Sequence, residues 1–383
     1  MLSVQKYFDG SLTTAASGRR RFTAWLLGRY APIAPDPLAC DAFPTSFVPS
    51  AGPNLATQAL LEGVVPARWD RVSVIQPCIR YWDLPHVGDG RHLSCFEMAT
   101  FVSLRPGDRA RILRDLFELL AEGLELDAER FWVTVYARGP VAGQEFPADE
   151  EARACWLELG IPEERIVPVL GSEGFVANRQ EAVGGYRTEI YYEARKTCRG
   201  GCAECLPGSS DCGRFVEVAT SVTYSFAVDF EARPSIRPVV APPVHAGGFG
   251  LERAVQVGLG LDDIGEVDSV ARLSETLWRK GGKDRPLAGA RRAATVAADH
   301  LKALTFLAAE NAHSLPGRAN KGRRSIVNRY VRSLRDALHR LELTTPSALA
   351  IALPVILDLY GEPHPHLCAR PEELAARLRW LLR

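Results

Sequence analysis

The chain of 383 residues carries 46 lysines and arginines against 46 aspartates and glutamates, so its formal net charge is zero. No global field draws it to nucleic acid or to anionic lipid, and any polyanion site has to be local. Its length exceeds the roughly 250 to 300 residues that one core usually reaches, which predicts one large domain and one smaller one.

The first residues, MLSVQKYFDGSL, lack the basic, apolar and small-residue order of a secretory signal. No apolar run approaches the roughly 18 residues that a membrane helix needs. A cytoplasmic protein with no membrane partner is expected, and its nine cysteines are then expected to stay reduced. An amphipathic helix is predicted over Arg20 to Tyr30, followed by a proline-rich exit. From about Phe43 short β-rich runs take over: RVSVIQPCIRYW, SCFEMATFVSL and RFWVTVYAR, separated by Gly, Pro and Asp turns. Helical spacing interrupts them at RARILRDLFELLAEGLEL and EEARACWLELG. Strands resume at TEIYYEAR and at RFVEVATSVTYSFAV, the second long enough for a central antiparallel strand. From about Leu287 onward the pattern is helical, with breaks at LPGRANKG and ELTTPS. A boundary is therefore placed near residues 281–286, giving domains 1–285 and 286–383. The fold class is α+β, a sheet with interspersed helices followed by an all-helical domain.

Arg80 precedes RHLSCFEM, in which His92 and Phe96 stand four apart. On a strand that spacing puts both side chains on one face, where a cation and a ring could hold a phosphate and a purine. The alternative is a strand with a buried Phe and a surface His. Further along, Gly248, Gly250 and Arg253 form GxGxxR at the start of a helical run. Glycines admit a ligand close to the backbone, and a guanidinium can grip phosphate with its planar fork.

These units, in this order, resemble the class II aminoacyl-tRNA synthetases, specifically the alanyl-tRNA synthetase family. PTSFVPSAGPN is similar to the family's first motif, and CIR, DLPHVG and RHLSCFEM to its second. RFWVTVYA, GIPEERIVPV, TEIYYEA, CGRFVEV and GFGLER follow in the family's order, and VAADHLKALTFLAAE with RANKGRRSIVNRYVRSL resembles the start of its helical tRNA-recognition domain. The resemblance implies an antiparallel class II sheet flanked by helices, with ATP, Mg²⁺, an amino acid and a tRNA acceptor stem as ligands; class II cores often form homodimers through the first motif, and the shortened first-motif region here leaves that open. It implies that Arg80 meets the α-phosphate, His92 the outer phosphates, Phe96 the adenine and Arg253 the γ-phosphate. Glu97 is a secondary ATP contact or a strand-edge carboxylate. Arg80 and Arg253 would carry the chemistry, because fixed cations stabilise the charge that builds as a carboxylate attacks the α-phosphorus.

The amino-acid half departs from the pattern. The family's aspartate for the α-amino group is replaced by Ala246 or His245, depending on where the alignment is anchored, and its asparagine by Thr220 with Ala219 beside it. The family's Gly-Pro-Cys-Gly-Pro loop is shortened to EAVGGYR, and no editing domain is expected within these 383 residues. Either the substrate is not alanine, or Glu189 or Asp83 holds the amine, or the chain no longer activates an amino acid.

Cys198, Cys202, Cys205 and Cys212 cluster in an insertion, 198–212, with one C-x-x-C pair, a pattern that fits tetrahedral Zn²⁺; free thiols in a loop are the alternative. The other five cysteines are expected to be small packing residues. Between Arg318 and Arg340 lie Lys321, Arg323, Arg324, Arg329, Arg332 and Arg335, opposite a stripe of Ile326, Val327, Tyr330, Val331, Leu334 and Leu338. This reads as a solvated charged face or as an RNA-binding one. Asn320 matches the family position that reads the acceptor stem. Two active functions follow: adenylate formation with transfer to tRNA, or a tRNA-independent ligase that passes the adenylate to a small amine or carrier protein. A non-enzymatic RNA-binding paralogue is the third.

Overall fold

The computed structural model describes residues 11–39, 47, 56, 58–63, 70–177, 182–198, 200–202, 205–208, 212–229, 235–281, 287–310 and 321–383. The expected first motif, residues 44–54, lies outside them apart from Phe47. In chain order the elements are α1 (Ala15–Leu26), β1 (Ala31–Pro32), β2 (Arg71–Ile79), β3 (Cys95–Ser103), α2 (Arg109–Glu118), β4 (Phe131–Tyr136), β5 (Gly139–Val141), β6 (Gln144–Phe146) and α3 (Glu150–Glu158). Then come β7 (Ile166–Val169), β8 (Phe175–Val176), β9 (Val183–Glu193), β10 (Phe215–Asp229), β11 (Ser235–Pro238), β12 (Val244–Gly250) and α4 (Leu251–Gly258). The C-terminal helices are α5 (Asp268–Gly281), α6 (Leu287–Ala309), α7 (Lys321–Arg340), α8 (Thr345–Tyr360) and α9 (Pro371–Leu381).

The first helix begins earlier than its apolar spacing suggests. Thr14 Oγ1 accepts the Ser17 N–H at 3.0 Å, and Ser17 Oγ accepts the Thr14 N–H at 2.9 Å, a reciprocal cap that fixes the start. Among the described helices none alone is long and apolar enough to cross a membrane.

Two compact units divide the chain. One comprises Met1–Pro35, Ser50–Gln76 and Met98–Gly260; the other comprises Asp36–Pro49, Pro77–Glu97 and Leu261–Arg383. The first holds the sheet, whose strands run β1-β2-β3-β12-β10-β9-β4-β7, with β11 on β10 and β8 on β9. The middle pairings β3·β12, β12·β10, β10·β9 and β9·β4 are antiparallel, whereas β1·β2 and β4·β7 at the margins are parallel, so the sheet is mixed. RFVEVATSVTYSFAV forms the interior strand β10, as its length predicts. On one face α1 and α4 pack closely: a Cβ at Gly18 would lie 3.1 Å from Val255 and 3.2 Å from Leu251.

The second unit is built on α5 to α9. Its core joins Leu273 and Leu277 of α5, the alanine-rich face of α6, Tyr330 and Leu334 of α7, Ile356 of α8 and Leu378 of α9 to Ile79, Leu84 and Cys95. The units therefore part at Gly260 rather than near residues 281–286, because Leu273 and Leu277 are buried with the later helices. The segment 77–97 belongs to the same core.

Candidate active site

Residues directly opposed on antiparallel strands share a face, and the faces alternate along each strand. Glu189, Thr220, Gly248 and Thr100 form one row across β9, β10, β12 and β3. Arg187, Val222, Ala246 and Val102 form another row on that same face. His245 belongs to an alternate row with Tyr186, Thr223 and Ser103, on the opposite face. Of the two alignments open to the sequence, the structure puts Ala246 with Thr220 and Glu189 and turns His245 away. His245 is buried, its Nδ1 lies 3.2 Å from Thr223 Oγ1, and burial together with the Arg109 guanidinium holds its imidazole down at about 4. Ala246 packs in an apolar cluster with Ala59, Leu60, Val102 and Val222.

Glu189 is the buried acid on this face, and Glu217, opposite Tyr191 on β10, is a more exposed second one. Its backbone is fixed by β9, and its carboxylate oxygens lie 3.1 Å from Arg187 Nη2 and 2.9 Å from the Tyr191 hydroxyl. Burial pushes the carboxyl up to about 8, with the charge of Glu217 adding to the shift, while Arg187 and the Tyr191 bond oppose it. Desolvation wins because only 2% of Glu189 is exposed. Thr220 Oγ1 is buried beside it with no hydrogen-bond partner among the described residues. The sequence reading missed Arg187 and Tyr191, which the period of two along GGYRTEIYYE already puts on the face of Glu189.

Gly248 and Gly250 differ in what surrounds them. A Cβ at Gly248 would lie 2.7 Å from Thr100 Oγ1 and 3.0 Å from the Ala99 carbonyl, so this glycine is required for strand packing. A Cβ at Gly250 would meet nothing nearer than Arg253 Cβ, 3.9 Å away. Gly250 is the N-cap of α4 and supplies no side chain to its first turn. The first-turn N–H groups there make a positive end suited to an anion. Arg253 donates from Nη1 to the Glu217 carbonyl at 3.3 Å.

The other expected nucleotide residues lie in the second unit. The Arg80 guanidinium sits 4.8 Å from the Phe96 ring centroid, so the expected cation and ring do adjoin. His92 Nδ1 is 2.7 Å from Asp89 Oδ2, and its ring lies 5.3 Å from that of His86. Burial would raise the Asp89 carboxyl, but the His92 bond and the N–H groups of Arg91 and His92 leave it below the ordinary value. Asp83 closes the turn after β2 through its N–H to the Arg80 carbonyl, 3.0 Å. Glu97 is neither at a strand edge nor exposed: it is buried, with Oε1 2.8 Å from His364 Nε2.

The sulfurs of Cys198, Cys202, Cys205 and Cys212 all lie within 4.8 Å of one another. Cys205 and Cys212 Sγ are 3.4 Å apart. Bonds from the Cys202 backbone and side chain and the Gly200 N–H hold the Cys198 thiol below its usual range. Four soft donors at this separation fit a tetrahedral Zn²⁺. On α7, Lys321, Arg324 and Arg332 are exposed, and Arg329 is half-buried with its guanidinium 5.6 Å from the Tyr81 ring. Arg323 is a correction to the expected basic face: it is buried, because it falls on the stripe of Ile326, Val327 and Tyr330. Asn320 lies outside the described residues.

The family model for class II (A) tRNA synthetases matches residues 33–379, and the chain belongs to that family. Among curated relatives it is 30% identical over 304 residues to the alanine–tRNA ligase of Dehalococcoides mccartyi, a match covering 78% of this chain and 32% of the relative. It is 30% identical over 339 residues to that of Legionella pneumophila strain Corby, covering 84% of this chain and 36% of the relative. The chain thus spans about a third of the length of the curated relatives it matches. Apo histidyl-tRNA synthetase of S. aureus aligns with a TM-score of 0.38 at 12% identity, covering 71% of this chain and 79% of that one, a likeness too slight to bear on function.

Proposed function

We propose that this chain activates an amino acid with ATP as an aminoacyl-adenylate and transfers it to a tRNA acceptor end, with a rebuilt amino-acid pocket. In the activation step the substrate carboxylate attacks the α-phosphorus, a new O–P bond forms, and pyrophosphate leaves with the electrons of the broken P–O bond. Arg80 is assigned to the charge that builds on the α-phosphate, and Phe96 to the adenine. His92 and Arg253 are assigned to the outer phosphates, and Gly250 to close approach of the nucleotide. Mg²⁺ bound with the triphosphate would neutralise the departing pyrophosphate. Functionally, residues 1–285 are assigned to activation and 286–383 to RNA recognition, with Lys321, Arg324, Arg329 and Arg332 offered to the acceptor stem.

The observation that carries this reading is the row of Glu189, Thr220 and Gly248 beside Ala246. It keeps a buried acid on this face while the family's aspartate position is apolar, so Glu189 is assigned to the substrate ammonium. The unpartnered Thr220 hydroxyl offers a hydrogen bond to a polar substrate group. Cys198, Cys202, Cys205 and Cys212 are assigned to a structural zinc that ties off the loop between β9 and β10.

Pyrophosphate exchange over a panel of amino acids, with and without total tRNA, tests the proposal. Exchange followed by labelled tRNA supports it. Exchange with no RNA product favours a ligase that hands the adenylate to an amine or carrier protein. No exchange with any amino acid overturns both.

A further inference from the structure

A polar chain, buried except at its half-buried end Ser333, runs from α7 through α6 to the segment between β2 and β3. Asp299 of α6 accepts the backbone N–H groups of Ser94 and Cys95 on Oδ1, at 3.0 and 3.1 Å. Its Oδ2 accepts the Ser94 hydroxyl and is 3.0 Å from His300 Nδ1. These four bonds fill the carboxylate's acceptor sites. A carboxylate can only accept, so the proton between it and His300 belongs to Nδ1. In the neutral ring Nε2 is then an acceptor, and it lies 2.9 Å from the Ser333 hydroxyl on α7. The Tyr330 hydroxyl, also on α7, donates to the Ser94 carbonyl at 3.2 Å. That same carbonyl accepts the Arg80 N–H at 2.8 Å.

Ser94 is thus the point where these bonds meet. It stands two residues after His92 and two before Phe96, and it holds the backbone of Arg80 directly. Resting on the assignment of Arg80 and Phe96 to ATP, we propose that Asp299, His300 and Ser333 are positioning residues, which lock Ser94 and thereby set Arg80 and Phe96 for the nucleotide. None of the three touches ATP in this proposal. A buried network transmits position because each member has one satisfied arrangement and an unmade bond inside the core is costly. The basic helix α7 is in this way fastened to the nucleotide-binding segment by side chains on its buried flank.

The test is ATP affinity of the full chain, measured by titration calorimetry for the wild type, Ser333→Ala and Ser333→Thr, with the melting temperature recorded for each. Alanine suits a helix and Ser333 is only half-buried, so the first variant keeps its fold. Ser333→Ala is expected to weaken ATP binding roughly three- to tenfold, part of the cost of one buried bond. Ser333→Thr keeps the hydroxyl and is expected to stay within about twofold of the wild type. Unchanged affinity in Ser333→Ala overturns the relay. So does an affinity loss shared by Ser333→Thr, which would follow packing rather than the hydroxyl. A wild type that binds no ATP overturns the nucleotide assignment itself, and the relay with it.

Discussion

Glu189 is mostly protonated at neutral pH, because burial pushes its carboxyl from 4.5 up to about 8. For an acid with a raised value, the folded state holds the proton more tightly than the unfolded state does. The stability this confers is complete below about pH 4.5 and is lost as pH rises through about 8. Substrate binding runs the other way, since an ammonium is best held by the ionised carboxylate. KM for the activated amino acid is therefore expected to fall as pH rises from about 6.5 to about 8.5, with a midpoint that binding itself pulls downward. Glu189→Gln should flatten that profile and raise KM by roughly tenfold or more, the worth of a charge-assisted hydrogen bond. A pH-independent KM in the wild type would remove Glu189 from the amine. The two glycines give a second contrast at this scale. Gly250 has φ −72° and ψ 120°, which any residue adopts, and open space where its Cβ would go. Gly250→Ala should change stability by less than about 1 kcal/mol while weakening ATP binding, whereas Gly248→Ala should cost about 1–3 kcal/mol in folding through its clash with β3. Thermal melting and ATP titration of both variants check this.

At the scale of elements, the loop between β9 and β10 gathers its four sulfurs where strands bearing Glu189 and Thr220 end. Zinc there would cross-link the two strands, and about one zinc per purified chain is expected by elemental analysis. Cys202→Ser should lower both that content and the melting temperature, and KM for the amino acid should rise more than KM for ATP. Unchanged metal content in Cys202→Ser would reject the site. The cysteine cluster was legible in the sequence because its four sulfurs are close along the chain. So were β10, whose length required an interior strand, and the apolar stripe of α7. What the sequence left open came from register and packing. Nothing in VHAGGFGLER decides whether His245 or Ala246 shares the face of Thr220 and Glu189, since inserting one residue exchanges the faces. Pairing with β10 and β3 decides it. Likewise nothing in the sequence near Glu97 points to His364, 267 positions away, whose Nε2 lies 2.8 Å from its Oε1.

Over the whole molecule, the helical segment that closes the chain is not a detachable appendage. Ile79, Leu84 and Cys95, which flank Arg80 and Phe96 in sequence, are buried in the same core as Leu301, Leu334 and Leu378. Ser94 is held by Asp299, and Glu97 by His364, near the end of the chain. The last strand ends at Gly250, and the compact units part at Gly260, because 77–97 folds with the helices that follow. Removing residues 286–383 would strip those three apolar side chains of their cover, at about 25 cal/mol for each Å² of apolar surface returned to water. It would also leave the N–H groups of Ser94 and Cys95 without an acceptor. The fragment 1–285 is therefore expected to bind ATP far more weakly than the full chain, even though it keeps Arg80, His92, Phe96, Gly250 and Arg253. Its melting temperature should fall, and it should bind a hydrophobic dye that the full chain does not. If the fragment instead bound ATP as the full chain does and melted at the same temperature, the segment 77–97 would not need the helices, and the two compact units would not be the units that fold.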